Sequence, residues 1–513
     1  MSHIMKERLS GNMVLENLSK SELIKIIKKQ EAIFKELQIK YEELLAKYEK
    51  KVEANKKMTY ERFCPKKETL KDDEKALNEA ERLIDEDKEK SIRKTPTENF
   101  LNDLRQLACD EIICDFDFKG NNVDKDKVLD FGQDETYKIE ILPANFKVVK
   151  VVKKKYKDKD KIYEAISDDV FPHSPLTPSL AANIIAMKYE LLVPINRYSL
   201  YLSGQGLNIS PQTLGNYVLR AILLLEPLYD KLLEELFNNS ARSIHSDETT
   251  LQVIESNKDK CYMFVYTTSF WNNPIYIYEF SEDRRTTKLQ EHMKNYEGYL
   301  TVDGYTGYNK IKENNSKIKI QRCFIHCRRN FFDCIKTLSH ENKLKHPAYK
   351  VVKKINELFE EEKRYRKLVL DADTIKEKRN SKEYQKIISE LNQIIDDINY
   401  DNNPLLEKAV KYYYNYKDEL FTYLEDGHVD MSNNIAERTV KPFVIGRKNF
   451  LFCKTLEGAK YTGIAFSIVQ TARANGLQVE KYLKYVIENI GKKDIQDLLP
   501  WSDSLPSIVK IKQ

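Results

Sequence analysis

The hydrophobic period changes several times along the chain, and each change marks a candidate element. After a polar start, Ser19 and Glu22 stand at capping-box spacing. Leu23, Ile27, Gln30, Phe34, Leu37, Tyr41, Leu44 and Tyr48 then follow in alternating steps of four and three. That is the a/d seam of a coiled coil, with Gln30 as a polar residue able to fix register. The pattern predicts a coiled coil over 13–56 through which copies self-associate; an intrachain hairpin or a solvated helix is the plainer alternative. Residues 57–105 are charged and poor in apolar positions, which predicts a linker. In 106–169 the β-branched alternation of "FKVVKVV" predicts strands that end in a Lys/Asp run, itself more simply a solvated turn than a binding site.

The period then becomes helical over 170–240. One helix ends near "SGQG" at 203–206, and a second starts at Pro211 behind Ser210, a good N-cap. Two helices around a short Gly-containing turn form a helix-turn-helix-like pattern, although a plain helical hairpin fits equally. Alternation returns at 243–253, 261–268 and 275–280, predicting an antiparallel three-strand meander. A helix at 286–295, a short strand "YLTVDG" ending at Asp303 and Gly304, and a strand "IKIQRCFI" leading into "HCRRNFFDCIK" come next. Residues 341–428 are helical and charged with a single glycine, Gly427, and read as an insertion. A helix beginning near Asn434 and two or three more up to Trp501 complete a multidomain α+β chain.

Composition narrows this picture modestly. The 513 residues suffice for about three to four domains. Lys+Arg 85 against Asp+Glu 80 leaves a net charge of +5, which permits nucleic-acid binding without demanding it. The eight cysteines follow no framework spacing, which points to a reducing compartment. No signal-peptide pattern and no apolar run of about 18 residues is present, so a cytoplasmic chain with no membrane partner is expected.

Candidate chemistry starts at "MSNNIAERTVKPFVIGRKNFLF", residues 431–452. Asn434 and Glu437 have capping-box spacing, yet Asn433, Asn434 and Glu437 also share one helix face. A carboxylate flanked by amides suits a hard cation such as Mg²⁺, but one carboxylate does not hold a catalytic metal pair. Two acids could join it. Asp247 lies inside the β-branched run "SIHSDETTLQV", where a carboxylate is costly; its neighbour Glu248 must point to the opposite face, so at most one of the two enters a given site. Asp303 ends a short strand, where sheets with parallel strands form ligand sites.

The stretches "HSDET", "FSEDRR", "TVDGYTGYN", "CFIHCRRNFFD" and "NNIAERTVKPFVIGRKNFLF", with "AFSIVQTARANGLQVEKYLKYVIENI" and "DLLPW" behind them, resemble the IS66-type DDE transposases over about 170–501. The resemblance implies an RNase H-like catalytic domain in two parts, 241–340 and 429–475, split by the insertion 341–428 and followed by a helical tail, 476–513. It implies that Asp247, Asp303 and Glu437 hold two divalent ions, Mg²⁺ with Mn²⁺ as a substitute. Such a pair can support hydrolysis at an element end and attack of the freed 3′-OH on target DNA. Cys323 and His326 match the family's C-x-x-H signature, implying a catalytic or DNA-positioning role beside the plainer one in packing. Arg328, Arg329, Arg438, Arg447 and Lys448 become candidate phosphate contacts, because guanidinium forks suit phosphate oxygens. The implied partners are DNA (terminal repeats and target), further copies of the chain, and small accessory transposition proteins; the implied location is the bacterial cytoplasm, at the nucleoid.

The chain departs from the family in two places. Many members carry a zinc ribbon; here Cys109 and Cys114 are spaced C-x4-C and the second knuckle position, "KYKDKDKIY", has no cysteine, so 106–169 reads as a degenerate zinc-ribbon-like β region with no structural zinc expected. The family's acid before the paired asparagines is Ser432, with Asp430 close by. An RNase H-fold nuclease without strand transfer and a non-catalytic DNA-binding remnant are the alternatives.

Overall fold

The computed structural model describes residues 149–151, 155–158, 161–164, 169–238, 241–401 and 403–511. The expected coiled coil, the linker, and Cys109 and Cys114 lie outside these residues. The first described elements are β1 (Lys155–Asp158) and β2 (Lys161–Glu164), an antiparallel hairpin with Asp158 opposite Lys161. Strands were expected in "FKVVKVV", residues 146–152; of these only 149–151 are described, outside any strand, and the rest lie outside the described residues. The turn fixes the register of a hairpin, so the Lys/Asp run that encloses the turn supplies the paired residues.

Three helices follow: α1 (Pro178–Tyr189), α2 (Ile195–Gly204) and α3 (Pro211–Phe237). As expected, α3 has Pro211 in its first turn and the Ser210 hydroxyl accepts the Thr213 N–H at 3.1 Å. Its buried stripe runs Leu214, Val218, Ala221, Leu225, Leu228, Leu232 and Leu236, the i, i+3, i+4 spacing of one helical face.

The strands β3 (Ser243–Leu251), β4 (Cys261–Thr268) and β5 (Tyr276–Ser281) form the expected antiparallel meander. The chain crosses through α4 (Thr287–His292) to β6 (Gly298–Val302), then through α5 (Asn309–Asn314) to β7 (Ile318–Arg322). Both late strands run parallel to β3, giving a five-stranded mixed sheet of order β5-β4-β3-β6-β7. The run "IKIQRCFI" stops being a strand at Arg322, because Cys323 begins α6 (Phe324–Asp333) and the Cys323 N–H still reaches the Val302 carbonyl at 2.9 Å.

The insertion is helical throughout: α7 (His340–Lys345), α8 (Pro347–Lys367), α9 (Ala372–Arg379), α10 (Lys382–Asp396), α11 (Pro404–Asn415) and α12 (Lys417–Leu420). Together with α6 it forms its own hydrophobic core around Phe331, Ile355, Leu391 and Tyr413. The chain returns to the sheet as α13 (Asn434–Phe450), which packs on β3 and β4, and ends with α14 (Leu456–Ala474) and α15 (Val479–Asn489). Helix α14 is buried nearly all round and covers β5: the Ser467 hydroxyl accepts the Tyr278 N–H at 2.8 Å, and that of Thr471 accepts the Tyr276 N–H at 3.0 Å. An edge strand is thereby denied to other chains. A side chain at Gly463 would sit 2.6 Å from the Tyr278 carbonyl, so only glycine lets helix and strand approach this closely. Helices α1 and α3 pack against α14 and α15 in the core they share with the sheet.

Candidate active site

The sheet register sets two of the acids. In the parallel pair, Ser243, Ile244 and His245 lie opposite Tyr299, Leu300 and Thr301. Asp247 lies two residues past the last paired residue of β3, and Asp303 two past that of β6, so both acids stand at the same end of the parallel pair. Asp303 immediately follows β6, and its Oδ1 accepts the Tyr305 N–H at 2.9 Å, which holds the carboxylate at the strand end. Glu437 arrives from the first turn of α13, 8% exposed, with both carboxylate oxygens buried; a negative charge there is favoured by the helix dipole.

Electrostatics link the three. Burial pushes the Asp247 carboxyl well above the usual carboxylate range, and Glu248, Asp303 and Glu437 push it further by like-charge repulsion. Glu248 points away from Asp247, as strand alternation requires, but remains part of the electrostatics. Its Oε1 takes the Arg284 Nε–H at 2.7 Å and its Oε2 takes the Tyr308 hydroxyl at 2.7 Å. Burial and then Asp303 nevertheless raise its carboxyl. The Arg284 guanidinium lies 4.0 Å over the Tyr305 ring, so a half-exposed cation borders the acids.

The C-x-x-H segment and the paired asparagines converge on Glu437. Sγ of Cys323 accepts the Asn433 N–H at 3.2 Å, and the Phe324 N–H reaches the Met431 carbonyl at 3.0 Å. His326 Nδ1 lies 3.8 Å from Glu437 Oε1. Among the described residues, Cys323, His326 and Glu437 bring three potential ligand atoms within 4.8 Å of one another. Burial, and next the charge of Glu437, push the Cys323 thiol up to about 12, so this sulfur keeps its proton and acts as a hydrogen-bond acceptor.

Asn433 occupies the N-cap position without capping the helix, and the expected capping box does not form. Its amide instead donates to the Ser246 carbonyl at 2.8 Å, and its Oδ1 lies 3.2 Å from His245 Nδ1. The other His245 nitrogen faces Asp430 Oδ2 at 3.3 Å, and Asp430 also pairs with Arg366 of α8. Asp430 thus serves an ion pair behind the strand and does not take the place of the missing acid at Ser432. Asn434 is half-exposed at the start of α13.

The five basic residues separate by environment. Arg438 and Lys448 are exposed. Arg328, expected as a phosphate contact, is buried; its Nε donates to Asn356 at 2.6 Å and burial lowers its pKa. Arg447 is likewise turned inward, onto Thr249 and the Thr250 carbonyl of β3. Both corrections have one cause: a long cation beside a helix packed on the sheet or insertion finds backbone and amide acceptors before it finds solvent. Arg329 is buried, and its Nε and Nη2 have no hydrogen-bond partner among the described residues.

Sequence reading missed His245, Arg284 and Tyr308, and named Asp430 only as the acid near Ser432. Only His245 carried a signal, since residues i and i+2 of a strand share a face and Asp247 is two along.

Among known proteins, a family model described as "Transposase IS66 family" matches residues 173–461, and one described as "IS66 C-terminal element" matches 467–501. The chain is 26% identical over 394 residues to the uncharacterized protein y4jD of Sinorhizobium fredii, covering 72% of this chain and 75% of that one. Similarity to the uncharacterized protein y4hP of the same organism is 28% over 411 residues, covering 72% and 70%.

Proposed function

From the premise that the chain belongs to the IS66 transposase family, we propose that it cuts DNA at the ends of an insertion element and joins the freed ends to target DNA, in a divalent-metal-dependent reaction at Asp247, Asp303 and Glu437. The observation that carries this reading is that Asp247 and Asp303 stand at the same end of the parallel pair β3 and β6, with Asp303 and Glu437 both close enough to raise the Asp247 carboxyl. The strand order β5-β4-β3-β6-β7, with its antiparallel half followed by a parallel half, supports an RNase H-like core.

The donor set fits Mg²⁺: the oxygens are hard ligands, and acids that repel one another this strongly are relieved by a cation. Asp247, Asp303 and Glu437 would hold it; when bound, such ions activate the attacking oxygen and stabilise the leaving one. The protein's own groups set the stage for this. Asn433 ties the start of α13 to the Ser246 carbonyl, fixing Glu437 relative to Asp247. His245 and Asp430 hold Asn433 in turn. Arg438 and Lys448, exposed along α13, are the basic residues placed to meet a DNA phosphate. The exposed residues Gln212, Asn216 and Arg220 near the start of α3 make a helix-turn-helix-like contact with duplex DNA. Self-association through 13–56 pairs two element ends.

The test is incubation of the full chain with Mg²⁺, a duplex carrying the element's terminal repeat and a target plasmid, beside Asp303→Asn. Cleavage and joining by the parent alone are expected. Cleavage without joining would favour a nuclease, and binding without cleavage a DNA-binding remnant.

A further inference from the structure

The insertion contributes a groove that the proposed chemistry does not use. It has a volume of about 460 Å³ and lies between the turn after Asp303 and the exposed side of α11. Gly304 forms one wall; Glu407, Lys408, Lys411, Tyr412, Asn415 and Tyr416 line the other. Pockets of about 300–1,000 Å³ are the usual size for a small ligand or a single nucleotide-sized group.

The groove is held in register with the acids. The Tyr416 hydroxyl donates to the Gly304 carbonyl at 3.4 Å, and a side chain at Gly304 would collide with the Tyr412 ring at 2.7 Å. Arg322 lies 4.7 Å over the Tyr416 ring, while its Nη1 donates to the carbonyls of Asp303 at 2.8 Å and Tyr305 at 3.1 Å. Whatever fills the groove is therefore positioned against the Asp303 turn and not on a detached surface.

Two lysines, one glutamate and two tyrosines set its chemistry. Lys408 and Lys411 are exposed one turn apart, and among the described residues Lys411 alone of the two has an acidic partner, Glu407 at 2.5 Å. An exposed i, i+4 pair of this kind is weak and yields readily to a phosphate. Tyr412 and Tyr416, half-buried and edge to face at 5.0 Å, offer ring surface between the cations and Gly304. The Tyr412 hydroxyl is buried with no hydrogen-bond partner among the described residues. Cations that track a phosphate chain beside aromatic rings that take bases are the recognition pattern of single-stranded nucleic acid.

We propose that this groove receives the nucleotides flanking the bond to be cut, as an unpaired strand, with phosphates on Lys408 and Lys411 and a base against Tyr412 and Tyr416. The proposal rests on the transposase reading and adds a role for the insertion: it holds one strand out of the duplex beside Asp303.

Two measurements on the full chain test it. In EDTA, binding of a fluorescent oligothymidylate is followed by anisotropy against salt for the parent, the Lys408→Ala/Lys411→Ala double variant and a Lys343→Ala/Lys345→Ala control from α7. Loss of two single-strand phosphate contacts should weaken binding roughly tenfold and lower the slope of log K against log salt by about 1.4, with the control unchanged. Equal affinity and slope in all three overturn the proposal. Photocrosslinking of an iododeoxyuridine-substituted, tailed terminal-repeat duplex to the unmutated parent should give an adduct on Tyr412 or Tyr416. Adducts confined elsewhere, from a parent that still cleaves its duplex in Mg²⁺, overturn the groove and leave the transposase reading standing. A parent that neither binds nor cuts DNA overturns both.

Discussion

The helical insertion and the central sheet each bury a cluster of charge, and they do so in opposite ways. In the insertion, Arg379 and Glu362 are both almost fully enclosed and joined twice, at 2.9 and 2.6 Å. Their remaining capacity is filled by the Tyr384 hydroxyl and the carbonyls of Tyr423, Asp426 and Val429. Every charge there has an opposite partner, as a structural network requires. On the sheet, the Asp247 carboxyl is driven up by burial and then by the like charges of Glu248, Asp303 and Glu437. Satisfied opposite charges mark a joint, whereas the repulsion on Asp247 is what the proposed metal would relieve.

Breaking that contrast should have its largest effect on chemistry. Asp303→Asn is expected to reduce metal-dependent cleavage by at least about 10²–10³-fold, the scale for losing a charge-stabilising group, while leaving thermal unfolding no lower than that of the parent. Raising Mg²⁺ to 100 times its Kd should stabilise the parent by about 2.7 kcal/mol and the variant by less. A melting temperature that falls with the substitution would make the acids structural.

In the insertion the signs reverse. Arg379→Met leaves Glu362 buried alone and should cost about 3–5 kcal/mol in denaturant unfolding. If stability changes little, the joint is not what holds the insertion together.

Asp430 gives an intermediate case with a pH signature. Burial raises its carboxyl, but Arg366 and then His245 outweigh that and hold it below 3.8. A lowered pKa contributes stability above the ordinary value that is lost as pH falls through the folded one. Asp430→Asn should therefore be less stable than the parent by about 1.5–3 kcal/mol at neutral pH, and the gap should close below pH 3.8. Chemical denaturation at three pH values checks it; a gap independent of pH would show that the charge is not the stabilising feature.

The smallest effect separates outward from inward cations. Arg438→Ala should lower the salt slope of duplex binding by about 0.9, as loss of one phosphate contact does. Arg447→Ala should leave the slope unchanged and instead cost about 1–3 kcal/mol of stability by stranding the Thr250 carbonyl. Equal slopes for the two variants would return Arg447 to the DNA surface.

Much of this was legible before any coordinate. An acid inside a β-branched strand, another at a strand end and a third in a helix's first turn are visible one at a time, because each violates a local preference. Strand period alone located β4 at Cys261–Thr268, and the Ser210-Pro211 pair located the start of α3, since caps and alternation act over a few residues. The same local rules carried the β7 strand past Arg322, where the approach of Cys323 to Val302 decides.

By itself, then, the sequence determined the periods, the caps, the three acids and their order, all set by neighbours along the chain. Only the tertiary structure decided which way Arg328 and Arg447 point. It alone pairs His245 with Asp430 and brings Lys408 and Lys411 to the turn after Asp303. Those partners lie from 28 to nearly 200 positions apart, and the choice among acceptors at such separations is made by packing, which no local preference encodes.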